Sequence, residues 1–307
     1  MLSRFSSLRF VAANVSKLAA TRTTTPVASN PLLHTSAARN DTPKRPAEIK
    51  KPVTTESDMK KIDRIMDADY NPNVPERYVA VALAGCGRYD GTYPLEAMSL
   101  AISLQRHNFT AHFYAGQYAV PSIDHLTGRP FLVTELREAP RWAWSDAARL
   151  IDENSIYDLS DLANPENCRQ YCGLFIPGGQ GIGLKEFRHR VEEAVYRYSA
   201  ANKPIATVSN GSILVTPILS GVRVTMGATR KERARVRSPH LDHKFGEYAI
   251  IESASSLEVV HCDRYNVFST PGHYGCGATL WDVHRGIERL VKAVKADIDE
   301  RETPAGW

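Results

Sequence analysis

Apolar and polar positions fall into contrasting textures along the chain. Up to about residue 77, apolar residues are scattered among Ser, Thr, Ala, Pro and basic residues without a sustained period. From Tyr78 onward, short continuous apolar runs alternate with amphipathic stretches. Tyr78–Ala84 has strand length and ends in Gly85-Cys86-Gly87, and helical spacing follows from Tyr93 to His107. Thr110–Ala115 is the next strand, and Leu174–Ile176 another, ending in Pro177-Gly178-Gly179. Lys185–Ala201 follows as a helix with Phe187, Val191, Ala194, Val195 and Tyr198 inward. Pro204–Val208 is a strand leading into Ser209-Asn210-Gly211 and a helical Ser212–Leu219. Shorter strands are predicted at Arg223–Met226, Val259–Cys262 and Val267–Ser269, and a closing amphipathic helix from Ala278 to Ile298. Strands apolar on both faces and alternating with helices predict an α/β fold, a mostly parallel sheet with helices on both faces. Ligands of such sheets sit beyond the carboxyl ends of the strands, so the loops after Ala84, Ile176 and Val208 are the ones to watch.

The first 40 residues change the picture of charge. They hold Arg4, Arg9, Lys17, Arg22 and Arg39 and no acid, which leaves 33 basic against 34 acidic residues for the remainder. The folded part is therefore near neutral, and nothing global recommends DNA as a partner. A basic, Ser/Thr/Ala-rich start able to form an amphipathic helix reads as a mitochondrial transit peptide over 1–40, and places the protein in the matrix. Residues 41–77 form a charged, Pro-containing linker with a short amphipathic stretch at Thr55–Met66, 78–298 form one domain, and 299–307 a flexible tail. No apolar run has the ~20 residues needed to span a bilayer. The five cysteines lack CxxC pairs, so neither a disulfide scaffold nor a metal site is expected, and no cofactor is called for.

Several residues could carry chemistry. Thr207-Val208-Ser209-Asn210-Gly211 has the form small-x-nucleophile-x-small between a strand and a helix, a turn that presents its central side chain in a strained position. Taken alone, it is more simply a turn in which Ser209 or Ser212 caps the next helix. Adjacent Gly178 and Gly179 after a buried strand let backbone N–H groups approach a ligand, as an oxyanion site requires. Glu96, early in the first helix, could hydrogen-bond a reacting group or be an ordinary solvated acid. His273, on a loop after a strand, could serve as a base or lie idle at the surface. The basic run Arg230–Arg237 is a solvated loop or a contact for an anionic partner.

Their order along the chain is informative. Ala84-Gly85-Cys86-Gly87-Arg88-Tyr89-Asp90-Gly91-Thr92 resembles the S-G-C-G-x-Y-D-G-x-E segment of one branch of the ThiJ/PfpI, or class I glutamine amidotransferase-like, superfamily. That branch holds the bacterial enhancing-lycopene-biosynthesis protein and its mitochondrial homologues. Ile123-Asp124-His125-Leu126-Thr127-Gly128 looks like its I-D-H-x-T-G, and Pro177-Gly178-Gly179-Gln180-Gly181 is similar to its P-G-G-F-G. Lys203-Pro204-Ile205 and Ser269-Thr270-Pro271 also match, so the resemblance runs from about Tyr78 to Val294. It implies a flavodoxin-like sheet and a homodimer or a place in a mitochondrial assembly. It also implies a site built from Glu96, the Gly178–Gly179 backbone with Asn210, and an elbow nucleophile, with Cys86 and Asp90 bordering the pocket. The chain departs from the pattern at the elbow: where the family has C-I-A-P, it has Ser209-Asn210-Gly211-Ser212. A cysteine there would be partly ionised, whereas a serine hydroxyl needs an adjacent base to attack anything. Two readings follow. One is a protein with reduced or lost thiol catalysis that acts as a binding or assembly component. The other is an enzyme, a Ser209-dependent hydrolase with His273 as base (as peptidase E relatives use serine and histidine) or a residual glyoxalase or dicarbonyl hydratase.

Overall fold

The computed structural model describes residues 76–130, 141–152, 155–227, 248–275 and 277–302. The segment read as a transit peptide, Thr55–Met66, Arg230–Arg237 and Cys276 lie outside the described residues.

Nine strands organise the description: β1 (Arg77–Leu83), β2 (Phe109–Ala115), β3 (Ile156–Asp158), β4 (Leu174–Ile176), β5 (Ile205–Val208), β6 (Arg223–Thr225), β7 (Ile250–Glu252), β8 (Val260–Cys262) and β9 (Val267–Thr270). Seven of them form one sheet in the order β3-β2-β1-β4-β5-β9-β8, parallel throughout except for the antiparallel β8 at one edge. β6 and β7 pair separately, in parallel. The central run β2-β1-β4-β5-β9 has the doubly wound, flavodoxin-like order, with β3 added outside β2. The chain winds to one side of β1 and later returns to its other side. The crevice between β1 and β4 is therefore the switch point at which such sheets place ligands.

The continuous apolar strands explain the layering. Successive side chains point to opposite faces, and both faces are buried. On one face Ala80, Ala82, Ala84, Leu174, Ile176 and Ile205 pack against Phe187, Val191, Ala194, Val195 and Tyr198 of the helix Lys185–Ala200. On the other, Val79, Val81, Leu83, Phe175, Ala206 and Val208 meet α1 (Pro94–Arg106) and the closing helix Leu280–Glu302, through Leu100, Leu104, Ile287, Leu290 and Val294. Each fully buried Val, Leu, Ile or Phe side chain among these contributes roughly 1.5–3 kcal/mol relative to exposure.

Two expectations need correction. The helix predicted at Ser212–Leu219 is a 3₁₀ segment, Ser209–Leu214, followed by turns. Gly211 lies against the Ile176 carbonyl, at 2.5 Å from where its Cβ would stand, and Pro217 cannot continue the hydrogen-bond ladder. The macrodipole of a full helix is thus not aimed at Ser209. The closing helix also runs to Glu302, into the stretch read as a tail, where Arg77 pairs with Asp299 and with Glu302 at 2.6 Å.

Candidate functional site at the carboxyl ends of the strands

The loops after β1 and β4 are zipped together at the switch point. Tyr93 N–H donates to the Gly178 carbonyl (2.9 Å), Gly181 N–H to that of Gly91 (2.9 Å) and Gln180 N–H to that of Arg88 (3.2 Å). Glycine is required along this seam. A Cβ on Gly178 would collide with Ser209 Oγ and stand 2.6 Å from Glu96 Oε2. Gly179 has φ +128° and packs on the backbone of Gly91–Tyr93.

Glu96, Ser209 and His273, far apart in sequence, meet here. Pro94 begins α1, so Glu96 falls in its first turn and is carried inward, fully buried. Its Oε2 accepts from Ser209 Oγ–H and Gly178 N–H, both at 2.9 Å. Its Oε1 accepts from His273 N–H at 3.1 Å and lies 2.5 Å from His273 Nδ1. A carboxylate can only accept, so Nδ1 carries the hydrogen in this arrangement, and the carboxylate is filled by donors. The His273 ring packs at a tilt against Tyr93 and Tyr274, with ring centroids at 4.4 and 4.0 Å, and its side chain keeps 13% exposure. Ser209 is fully buried and holds φ +48°, a left-handed conformation that costs a non-glycine residue about 1 kcal/mol or more.

The order of contacts is serine, glutamate, histidine. In this geometry the group bonded to the Ser209 hydroxyl is Glu96, and His273 reaches the serine only through that carboxylate. His273 is therefore not placed as the direct base of Ser209. The N–H groups expected to serve an oxyanion are also engaged: Gly178 by Glu96, and Gly179 by Asn210 Oδ1 at 2.8 Å, with Asn210 Nδ2 returning a bond to the Gly179 carbonyl at 3.0 Å.

No family model matches the chain. A mitochondrial ES1 protein homolog of Rattus norvegicus is 26% identical over 234 residues, covering 72% of this chain and 84% of that protein. The human "glutamine amidotransferase-like class 1 domain-containing protein 3, mitochondrial" is 28% identical over 236 residues, covering 72% and 83%. Among solved structures, an isoprenoid biosynthesis protein with an amidotransferase-like domain from Ehrlichia chaffeensis superposes with a TM-score of 0.58 at 22% identity, over 72% of this chain and 99% of its own. The chain is similar to these mitochondrial proteins and shares the fold of the solved amidotransferase-like domain.

The two most specific motifs of this chain converge on a carboxylate other than Glu96. Asp90, fully buried, receives His125 Nε2 at 2.9 Å on Oδ1 and Arg141 on Oδ2. Arg141 also donates to Asp146 Oδ2 at 2.6 Å and to the Cys86 carbonyl at 3.1 Å. Gly87 has no room for a Cβ, which would strike Asp90 Oδ1 and sit 2.8 Å from the His125 ring. The motif residues Gly87, Asp90 and His125 therefore form one ionic pin that shapes the loop over the site. Cys86 is half-buried, and burial, then the nearby Asp146 carboxylate, push its thiol up, the opposite of an activated thiolate.

Reading the sequence missed the partners Arg141 and Asp146, which stand 51 and 56 positions from Asp90 and belong to no motif, and missed the side-chain bonds of Asn210. His125 was visible in its motif without a role. Among the described residues no group of three or more His, Cys, Asp or Glu is arranged to hold a metal. A groove of about 370 Å³ opens beside the ends of β2 and β3, lined by Gly116, Tyr118, Asp158, Glu186, His189 and Arg190, not by the Ser209 cluster.

Proposed function

We propose that this is a mitochondrial ThiJ/PfpI-like protein with reduced or lost nucleophilic catalysis, working in the matrix as a binding or assembly component. The observation that carries this reading is the closed state of the Ser209 centre. The hydroxyl is fully buried on Glu96, and the neighbouring Gly178 and Gly179 N–H groups are both engaged by side chains. A working acyl-transfer site keeps such donors free for the developing oxyanion. Cys86, with its thiol pushed up, offers no substitute nucleophile. The mitochondrial names of the relatives and the basic first 40 residues support the compartment. The linker of 41–77 and the basic run Arg230–Arg237 are the proposed docking elements, the latter for an anionic partner.

Purified protein should consume methylglyoxal no faster than its Ser209→Ala variant, and crosslinking of mitochondria followed by native electrophoresis should carry it in a species larger than a dimer. A purely monomeric or dimeric protein without partners would remove the assembly role.

A second reading is favoured by one feature, the bond from the strained Ser209 to Glu96. In it Glu96 acts as general base, taking the hydroxyl proton as Oγ attacks a carbonyl, while His273 supports the carboxylate from its other oxygen. Turnover of methylglyoxal or of a small ester that disappears in both Ser209→Ala and Glu96→Gln would establish it in place of the first.

A further inference from the structure

Asn210 follows the serine directly, and its side chain is used in a way the turn does not require. Its φ is not among the positive values in the chain, so nothing in the backbone asks for asparagine at this position. The family pattern carries an apolar residue there. Yet the carboxamide, 2% exposed, pairs with both backbone groups of Gly179: Oδ1 accepts from the N–H at 2.8 Å and Nδ2 donates to the carbonyl at 3.0 Å. The same Oδ1 stands 3.4 Å from Ser209 Oγ and would be 2.7 Å from a Cβ on Gly178. A side-chain amide oxygen thus sits beside the nucleophile position and is bound by a backbone N–H. That is where the oxygen of a carbonyl under attack would have to go.

The geometry points to Asn210 as an internal latch, a self-supplied occupant of the Gly179 hydrogen-bonding position that holds Ser209 out of reaction. This rests on the proposed loss of catalysis and gives it a cause that can be removed. Of the two engaged donors, the Gly178 N–H is held by Glu96, a group the chemistry itself needs. The Gly179 N–H is held by a neutral amide with no acid–base role at neutral pH. Shortening Asn210 to Ala would free that donor and open space next to Oγ. A small fluorophosphonate could then react: a bond forms between Ser209 Oγ and phosphorus, the P–F bond breaks, fluoride leaves, and the hydroxyl proton passes to Glu96.

The test is intact-mass and peptide mapping of fluorophosphonate adducts on wild type, Asn210→Ala, Asn210→Asp and the double variant Asn210→Ala/Ser209→Ala. Asn210→Ala should label at Ser209 about 10²-fold faster than wild type, the scale on which one oxyanion donor acts. The double variant should not label. Asn210→Asp, which can still accept from Gly179 N–H, should stay near wild type. An Asn210→Ala protein that melts cooperatively and labels no faster than wild type overturns the latch while leaving the proposed loss of catalysis standing. Wild type that labels readily overturns the proposed loss of catalysis itself, and the latch with it if Asn210→Ala is no faster. Asn210→Ser, which keeps a hydroxyl in the loop, is read by the same criteria if the alanine variant does not fold.

Discussion

Glu96 is the residue on which the centre hangs, because one carboxylate takes bonds from the Ser209 hydroxyl, the Gly178 and His273 N–H groups and the His273 ring. Replacing it by Gln turns one acceptor oxygen into an NH₂ that faces donors, leaving buried groups unsatisfied. Glu96→Gln should therefore cost about 2–3 kcal/mol, or about 5–10 °C in melting temperature. Ser209→Ala removes one hydroxyl bond and keeps the backbone, so about 1 kcal/mol or less is expected. Calorimetry on the two variants gives the comparison, and equal shifts would mean the carboxylate is not the hub. None of this was legible from Glu96 itself, since a glutamate in a first helical turn is usually solvated. Its position early in the first helix made it a candidate, and the resemblance gave it a place in the site. The relay of serine, glutamate and histidine, rather than serine and histidine, depends on side-chain directions set by the ends of α1, β5 and β9, which no spacing in the sequence encodes.

At the scale of elements, the sequence predicted well wherever apolar runs were long. β1, β2, β4 and β5 and the helices Pro94–Arg106 and Lys185–Ala200 lie within a residue or two of their predicted bounds. β3 and β7 escaped notice because each ends in an acid and is only partly buried, whereas the equally short β4, Leu174–Ile176, is apolar and buried throughout. The turn after β5 was misread because its apolar spacing suits a helix while Gly211 and Pro217 do not. The seam between the β1 and β4 loops should be intolerant of any side chain. Gly178→Ala forces a methyl onto Ser209 Oγ in a fully buried position and should cost about 3 kcal/mol or more, read from urea unfolding. The edge near β3 should respond to pH. His112 on β2 is bonded through Nδ1 to the Tyr171 hydroxyl at 2.8 Å, and burial holds its imidazole below the ordinary 6.5. With the folded value depressed, its share of stability is present above 6.5 and is lost as pH falls through the lower folded value. The stability gap between wild type and His112→Phe should therefore be wider at pH 7.5 than at pH 5, and a gap that stays level would show the histidine is not coupled to folding.

For the whole molecule, the fold and the switch point were readable from the alternation of elements, and the order of glycine-rich motifs pointed to the relatives that the chain resembles. What the centre does was not, because it depends on which donors are already engaged. Two partly buried thiols bear on cysteine chemistry, Cys86 at the rim of the site and Cys172 just before β4. Cys86 is pushed up by burial, and Cys172 is pushed up to about 11 mainly by burial, so both should react slowly with iodoacetamide at pH 7.5 and faster as pH rises. Rapid alkylation of Cys86 at neutral pH would reopen thiol chemistry at the rim of the site. The serine itself admits the most direct measurement: exposure of the purified, full-length wild-type protein to a fluorophosphonate, with mass mapping of the peptide that contains Ser209. A closed centre predicts no adduct on Ser209 over hours at neutral pH, and a stoichiometric Ser209 adduct would contradict it.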